Sequence, residues 1–156
     1  MTTSEIPAMA KPRVAAGALL FNDAGHVLLV KPTYKAGWDI PGGYVEPHES
    51  PRAACIREIQ EELGITPTIA GLLVVDWAPT EKEGDKILFV FDAGKITMEQ
   101  LANIKFLDGE ISEWRIIHPN ALGEYTPQRL TRRLRTAIEA KERGLSSYAE
   151  HGEGMP

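Results

Sequence analysis

The sequence predicts a single layered domain of the α+β or α/β class. Three observations predict it. Short apolar and β-branched runs recur between Gly, Pro, Asn and Asp clusters from Arg13 to His118, the pattern of strands separated by turns. Two longer segments, beginning at Ser50-Pro51 and Thr126-Pro127, carry helix start signals followed by helical periodicity. No internal repeat or interdomain linker divides the 156 residues, a length suited to one domain. Strands and helices in one unit must cover each other's apolar faces, hence layers.

The elements follow in chain order. Residues 1–12 are rich in Thr, Ser, Pro and Ala without periodicity and read as a loose leader. Arg13 to Phe21 and His26 to Pro32 read as strands of a hairpin around Asn22-Asp23-Ala24-Gly25. Lys11-Pro12-Arg13 before Val14 to Phe21 imitates a secretory signal, but no cleavage pattern follows, only a turn and a second apolar run. Tyr34 to Gly37 is a loop, Pro41-Gly42-Gly43 a turn or tight bend, and Tyr44-Val45 a short strand. Ser50 caps a helix with Pro51 at its first position, and Gly64 stops it after Leu63. Ile69 to Trp77 and Ile87 to Phe91 are strands around the charged loop Thr80 to Asp85, Met98 to Asn103 is one helical turn, and Glu110 to His118 is another strand. Asn120 to Gly123 is a short helix or turn, and a last helix runs from Thr126-Pro127 to Arg143. Residues 13–143 therefore form the domain, and 144–156 read as a frayed tail.

Composition narrows the function. Hydrophobic residues at 43% and charged residues at 25% exclude a disordered or fibrous chain. A net charge of −5 argues against broad binding to a nucleic-acid backbone. No apolar run is long enough to span a membrane. The lone Cys55 cannot form an internal disulfide and suits the reducing cytoplasm.

The chemistry concentrates in GYVEPHESPRAACIREIQEELGI, Gly43 to Ile65. On a helical wheel with Glu58 at the origin, Glu61 falls near 300° and Glu62 near 40°, while Ile56, Ile59 and Leu63 fall between roughly 100° and 160°. Three carboxylates thus share one face and the apolar residues another. Like charges at this spacing repel by a few tenths of a kcal/mol per pair. A merely solvated face would mix in lysines. Clustered oxygen ligands without a Cys/His set suit Mg²⁺ or Mn²⁺ rather than zinc. Arg57 is the cation placed to hold a carboxylate in one rotamer.

This segment resembles the signature of the Nudix hydrolases. Gly43, Glu49, Arg57, Glu58, Ile59, Glu61, Glu62, Gly64 and Ile65 stand at its defining positions with the required spacing. His48 stands where many members have Gly, a non-defining position. Looser similarity extends to Trp38-Asp39-Ile40-Pro41-Gly42-Gly43 before the motif and Glu110 to Trp114 after it. The resemblance implies an α/β/α sandwich, a mixed sheet flanked by helices, with the motif as loop–helix–loop. It implies hydrolysis of a nucleoside diphosphate derivative at its pyrophosphate with Mg²⁺, for which Mn²⁺ can substitute. Glu61 and Glu62 become the principal metal ligands, Glu58 a further ligand or the base, and a carbonyl of Gly42 or Gly43 another ligand. Arg57 and Glu49 orient the acidic face. Glu110 becomes the glutamate that many members supply from a distant loop, with Glu113 its rival. Homodimers are common in the family.

Other residues are weighed beside it. Tyr34, Lys35, Tyr44 and Trp77 are candidate substrate contacts, whereas Trp38 and Phe89 read as packing. Cys55 reads as a buried helix residue rather than a nucleophile. Pro79 is a faint pointer to ADP-ribose-cleaving members, which carry a proline in that region at another offset. The last helix carries Arg129, Arg132, Arg133, Arg135, Lys141 and Arg143. It reads as a solvated face with Leu130, Leu134 and Ile138 inward, rather than an RNA surface. Two small-molecule classes compete as substrate: ADP-ribose or another nucleotide sugar, and a nucleoside triphosphate in intact or oxidised form. A catalytically idle Nudix domain that senses a nucleotide, or binds RNA or protein, is the alternative. Loss of motif carboxylates would mark it, and none is lost.

Overall fold

In the computed structural model, which describes residues 6–156, a strand that is apolar along its length forms the middle of the sheet. This is β1 (Arg13–Phe21), buried from Ala15 to Phe21, as a strand covered on both faces must be. The apolar run after Lys11 to Arg13 is therefore strand, not a helical segment. Then come β2 (Val27–Pro32), β3 (Gly42–Tyr44), α1 (Pro51–Leu63), β4 (Gly71–Trp77), β5 (Lys86–Lys95), α2 (Met98–Ala102) and β6 (Ile111–Ile117). A 3₁₀ helix at Pro119–Glu124 precedes α3 (Gln128–Arg143), β7 (Ser147–Glu150) and β8 (Glu153–Gly154). The sheet order is β6-β2-β1-β5-β4-β7-β8, with β3 paired to β1 off this path. β1 with β5 and β4 with β7 are parallel, and the remaining pairs antiparallel.

Each face of this mixed sheet has its own apolar layer. Ala16, Ala18, Leu20, Leu28 and Phe91 pack with Cys55, Ile59 and Leu63 of α1. Leu19, Phe21, Leu29 and Val90 pack with Leu130, Leu134 and Ala137 of α3. The alternation along β1 thus sends successive side chains to opposite helices, giving an α/β/α sandwich. At α1 the sequence signals act as expected: Ser50 accepts a hydrogen bond from the Ala53 amide, and Gly64 ends the helix at φ 68°.

Several expectations are corrected. Gly42 and Gly43 are not a turn but open β3, paired with Gly17 and Ala16 of β1. Thr126 does not cap α3; the helix begins after Pro127. The Thr126 hydroxyl instead meets Thr131 Oγ1 at 2.6 Å and donates to the Leu122 carbonyl at 2.9 Å. The strand at Ile87 extends to Lys95 because its whole length is matched by β1. The supposed tail carries β7 and β8, with β7 parallel to β4. Its polar side chains hide the reason, which is backbone pairing. The basic face of α3 is solvated only in part: Arg135, Lys141 and Arg143 are exposed, with Leu130, Leu134 and Ile138 inward as expected, while three arginines are engaged. Arg133 pairs with the fully buried Asp76 at 2.6 Å, Arg132 donates to the His151 carbonyl and Arg129 to the Pro79 carbonyl. Of the leader, residues 1–5 lie outside the described residues, and 6–12 contain no helix or strand.

Candidate active site

Glycines bring β3 and α1 into register. A Cβ on Gly42 would stand 2.3 Å from the Ala16 carbonyl oxygen, and one on Gly17 would stand 2.9 Å from Ile40. Only glycine permits this approach of two backbones. On the α1 side, a Cβ on Gly43 would lie 2.5 Å from the Glu58 carboxyl carbon. The acidic face therefore rests directly on bare backbone.

Arg57 organises that face. Its Nε and Nη2 donate to the two oxygens of Glu49 at 2.8 and 2.9 Å, the bidentate fork that guanidinium and carboxylate form best. Nη1 donates to Glu58 at 3.0 Å and Glu61 at 3.2 Å, and Nη2 also to the Tyr44 carbonyl at 3.2 Å. The Arg57 hydrogen bonds and the Glu46 amide hold the Glu49 carboxyl down to about 2. Burial pushes the Glu58 carboxyl up, against the pull of Arg57.

Glu62 is the outlier of the three motif glutamates. It is 3% exposed, and its carboxylate accepts the Gly42 amide at 3.2 Å. Burial pushes this carboxyl up to about 9; the Gly42 hydrogen bond opposes the shift, and the Glu58, Asp108 and Asp39 charges add to it. Its wheel position lies between Glu58 and Ile59, so docking the apolar stripe carries it inward. Cys55 sits beside it, buried, with its thiol pushed up to about 12 by burial, an inert state.

The acidic trio is not preassembled as a cage. Among the described residues no three His, Cys, Asp or Glu side chains converge in the geometry of a metal site. Mutual repulsion spreads the carboxylates, and the Arg57 guanidinium satisfies Glu58 and Glu61 instead. The donor set nevertheless fits a hard dication. Glu62 is a buried carboxylate with lone pairs beyond its one amide partner, and carboxylate and backbone oxygens are what Mg²⁺ or Mn²⁺ requires.

Around this face the predicted residues separate. Glu110, in the loop before β6, acts with its charge on both Glu58 and Tyr34. Glu113 lies on β6 opposite Lys31 and near Arg115. Tyr34 is 68% exposed and also feels the Glu62 charge, and Lys35 pairs with Asp39 at 2.8 Å. Tyr44 is exposed one residue past Gly43, with its hydroxyl donating to Glu83. Trp77 shares a sheet face with Ile87 and Phe89, the α1 face, and is half-buried. Trp38 packs against Tyr125 and Arg115. A cleft of about 370 Å³ lies along the outer side of α1 between Arg57, Gln60, Glu61, Leu107 and Asp108.

Four charged residues near the site were not legible. Asp39 and Asp108 act on Glu62, and Glu83 and Lys86 contact Tyr44. Asp39 sits just before Pro41-Gly42-Gly43, a placement that offered a signal. Glu83 and Lys86 lie about forty residues from Tyr44, and no local pattern joins them.

Known proteins resemble this chain in sequence and in fold. An RNA pyrophosphohydrolase of Roseobacter denitrificans is 36% identical over 91 residues, 56% of each chain. A Bacillus subtilis protein provisionally named 8-oxo-dGTP diphosphatase is 34% identical over 71 residues, 46% of this chain and 48% of that one. The chain thus matches about half the length of these curated relatives. The crystal structure of a MutT protein from Methanosarcina mazei superposes with a TM-score of 0.68 at 28% identity, covering 88% of this chain and 98% of that one. The family model of the NUDIX domain matches residues 11–140, and the chain belongs to that family.

Proposed function

We propose that the protein is a Mg²⁺-dependent pyrophosphohydrolase that cleaves the phosphoanhydride of a nucleoside diphosphate derivative, with Mn²⁺ as a substitute. The observation that carries this reading is the buried Glu62 carboxylate facing the Gly42–Gly43 backbone, beside Glu58 and Glu61 under one guanidinium. Glu61, Glu62 and a carbonyl of Gly42 or Gly43 would hold the cation, with Glu58 a further ligand where Glu110 is the base. Such a cation, when bound, neutralises pyrophosphate charge and lowers the pKa of a water. The chain's own residues do the rest. Arg57, anchored by Glu49, fixes the rotamers of Glu58 and Glu61. Glu58 or Glu110 takes the proton of the attacking water, and Tyr34, Lys35, Tyr44 and Trp77 contact the substrate.

The two curated relatives carry names of enzymes that act on RNA and on 8-oxo-dGTP. They support a nucleoside triphosphate or a 5′-phosphorylated RNA end ahead of ADP-ribose and other nucleotide sugars. The lone buried Cys55 suits cytoplasmic residence, and among the described residues no helix is long and apolar enough to cross a membrane. The homodimer common in the family is read by analytical ultracentrifugation of the same sample. The decisive experiment is a panel of canonical and oxidised triphosphates, 5′-triphosphate RNA, ADP-ribose and nucleotide sugars, with product identification. Phosphate-containing product that appears with Mg²⁺ and vanishes with EDTA is expected. No cleavage of any compound with either metal would overturn the reading.

A further inference from the structure

The loop between β4 and β5 reaches back to the motif strand. Its tip is stiff: Thr80 and Gly84 exchange backbone hydrogen bonds at 3.1 and 2.8 Å, and the Thr80 hydroxyl takes the Glu83 amide at 2.9 Å. From this tip the Glu83 carboxylate accepts the Tyr44 hydroxyl on one oxygen and Lys86 Nζ on the other at 2.8 Å. Lys86 Nζ lies 3.3 Å from the same hydroxyl and 5.1 Å from the centre of the Tyr44 ring. The ring is thus held at its hydroxyl and by one ammonium, yet Tyr44 remains 45% exposed.

The ring's position gives the arrangement a use. Tyr44 follows Gly43, which touches Glu58, and successive strand residues point to opposite faces. β3 pairs with β1 alone among the strands, and its other edge carries the motif helix: the Gly42 amide donates to Glu62 and the Tyr44 carbonyl accepts from Arg57. A ligand with its phosphates against the acidic face sets its next group against Tyr44. The loop at Tyr34-Lys35 joins the two sides: Tyr34 feels the Glu62 charge and Lys35 the Glu83 charge.

We infer that Tyr44 is the platform on which the substrate's base stacks, and that Glu83 is a positioning residue that fixes the ring for it through the Tyr44 hydroxyl and Lys86. This deepens the proposed function and rests on it. An aromatic face accepts any base, and an ammonium near the ring polarises it. A ring already fixed loses little freedom on binding.

The test is calorimetry in the presence of Mg²⁺ with two probes, an α,β-methylene nucleoside triphosphate and inorganic tripolyphosphate. Tyr44→Leu is expected to weaken the nucleotide about tenfold and leave tripolyphosphate within twofold. Glu83→Ala weakens the nucleotide several-fold, and Glu83→Gln, which keeps an acceptor for the hydroxyl, restores most of the loss. In a Tyr44→Leu background Glu83→Ala adds nothing. Equal weakening of both probes points to an anion site and overturns the inference, as does an unchanged nucleotide affinity in Tyr44→Leu or a persisting Glu83 effect in the double variant. If the wild type cleaves the panel or binds the nucleotide while these variants fail the pattern, only the inference falls. A wild type that neither cleaves nor binds removes both.

Discussion

Glu62 sets two demands against each other. It must be ionised to bind a cation, yet its surroundings hold its carboxyl up to about 9. A folded pKa raised above the ordinary carboxylate value means that the folded chain keeps a proton that the unfolded chain has released. The stability contribution is full below about pH 4.5 and declines as pH rises, until the group ionises near pH 9. Glu62→Gln removes that loss. In EDTA at pH 8 the variant is expected to melt above the wild type, by about 2 kcal/mol or more, with the difference gone at pH 4.5. Turnover of the same variant falls at least about a hundredfold, since a lost ligand costs more than a lost supporting group. Equal melting at pH 8 would sink the assignment of Glu62 as a buried acid. His48 offers a second test. It is an exposed residue held at φ 67°, in the left-handed region that favours glycine. His48→Gly should raise stability by about 0.5 kcal/mol, read as a shift in urea midpoint at constant slope.

At the scale of elements, the C-terminal hairpin depends on one buried carboxylate. Asp76 accepts Arg133 Nε at 2.6 Å and the Gly152 amide at 3.0 Å. Gly152 lies so close to α3 that a Cβ would stand 2.8 Å from the Arg129 carbonyl oxygen. The Thr136 hydroxyl and Arg132 guanidinium complete the dock by donating to the Gly152 and His151 carbonyls. Asp76→Ala strands a buried guanidinium, and breaking such a pair costs about 3–5 kcal/mol. The expected signature is early hydrogen exchange in β7 and β8 with α1 still protected. Uniform exchange across the sheet would show that the hairpin is not a separable dock. This element illustrates why a tail escaped the sequence: 144–156 has no apolar periodicity, because its bonds are to backbone and to arginines of α3.

At the scale of the molecule, two cores lie on opposite faces of the sheet, and the acidic face sits at the edge of one of them. Cation binding to the folded form alone must therefore raise the melting temperature by linkage, by about 2.7 kcal/mol at a hundred times the dissociation constant. Because Glu62 has to lose its proton, Mg²⁺ or Mn²⁺ is expected to stabilise more strongly at pH 8 than at pH 6, with EDTA reversing both effects. A calorimetric titration at pH 7 should release a proton per cation bound at Glu62. Metal stabilisation independent of pH would contradict this coupling.

The sequence by itself determined the motif helix with its two ends, the central apolar strand, the layered fold class and the identity of the acidic residues. Those features are local: caps, periodicity and spacing are written within one turn or one strand. Only the tertiary structure decided which glutamate is buried, which carboxylates Arg57 engages together, and that Glu83 and Lys86 meet Tyr44. Burial and charge pairing depend on residues brought together from distant parts of the chain, and no local pattern records which of them meet.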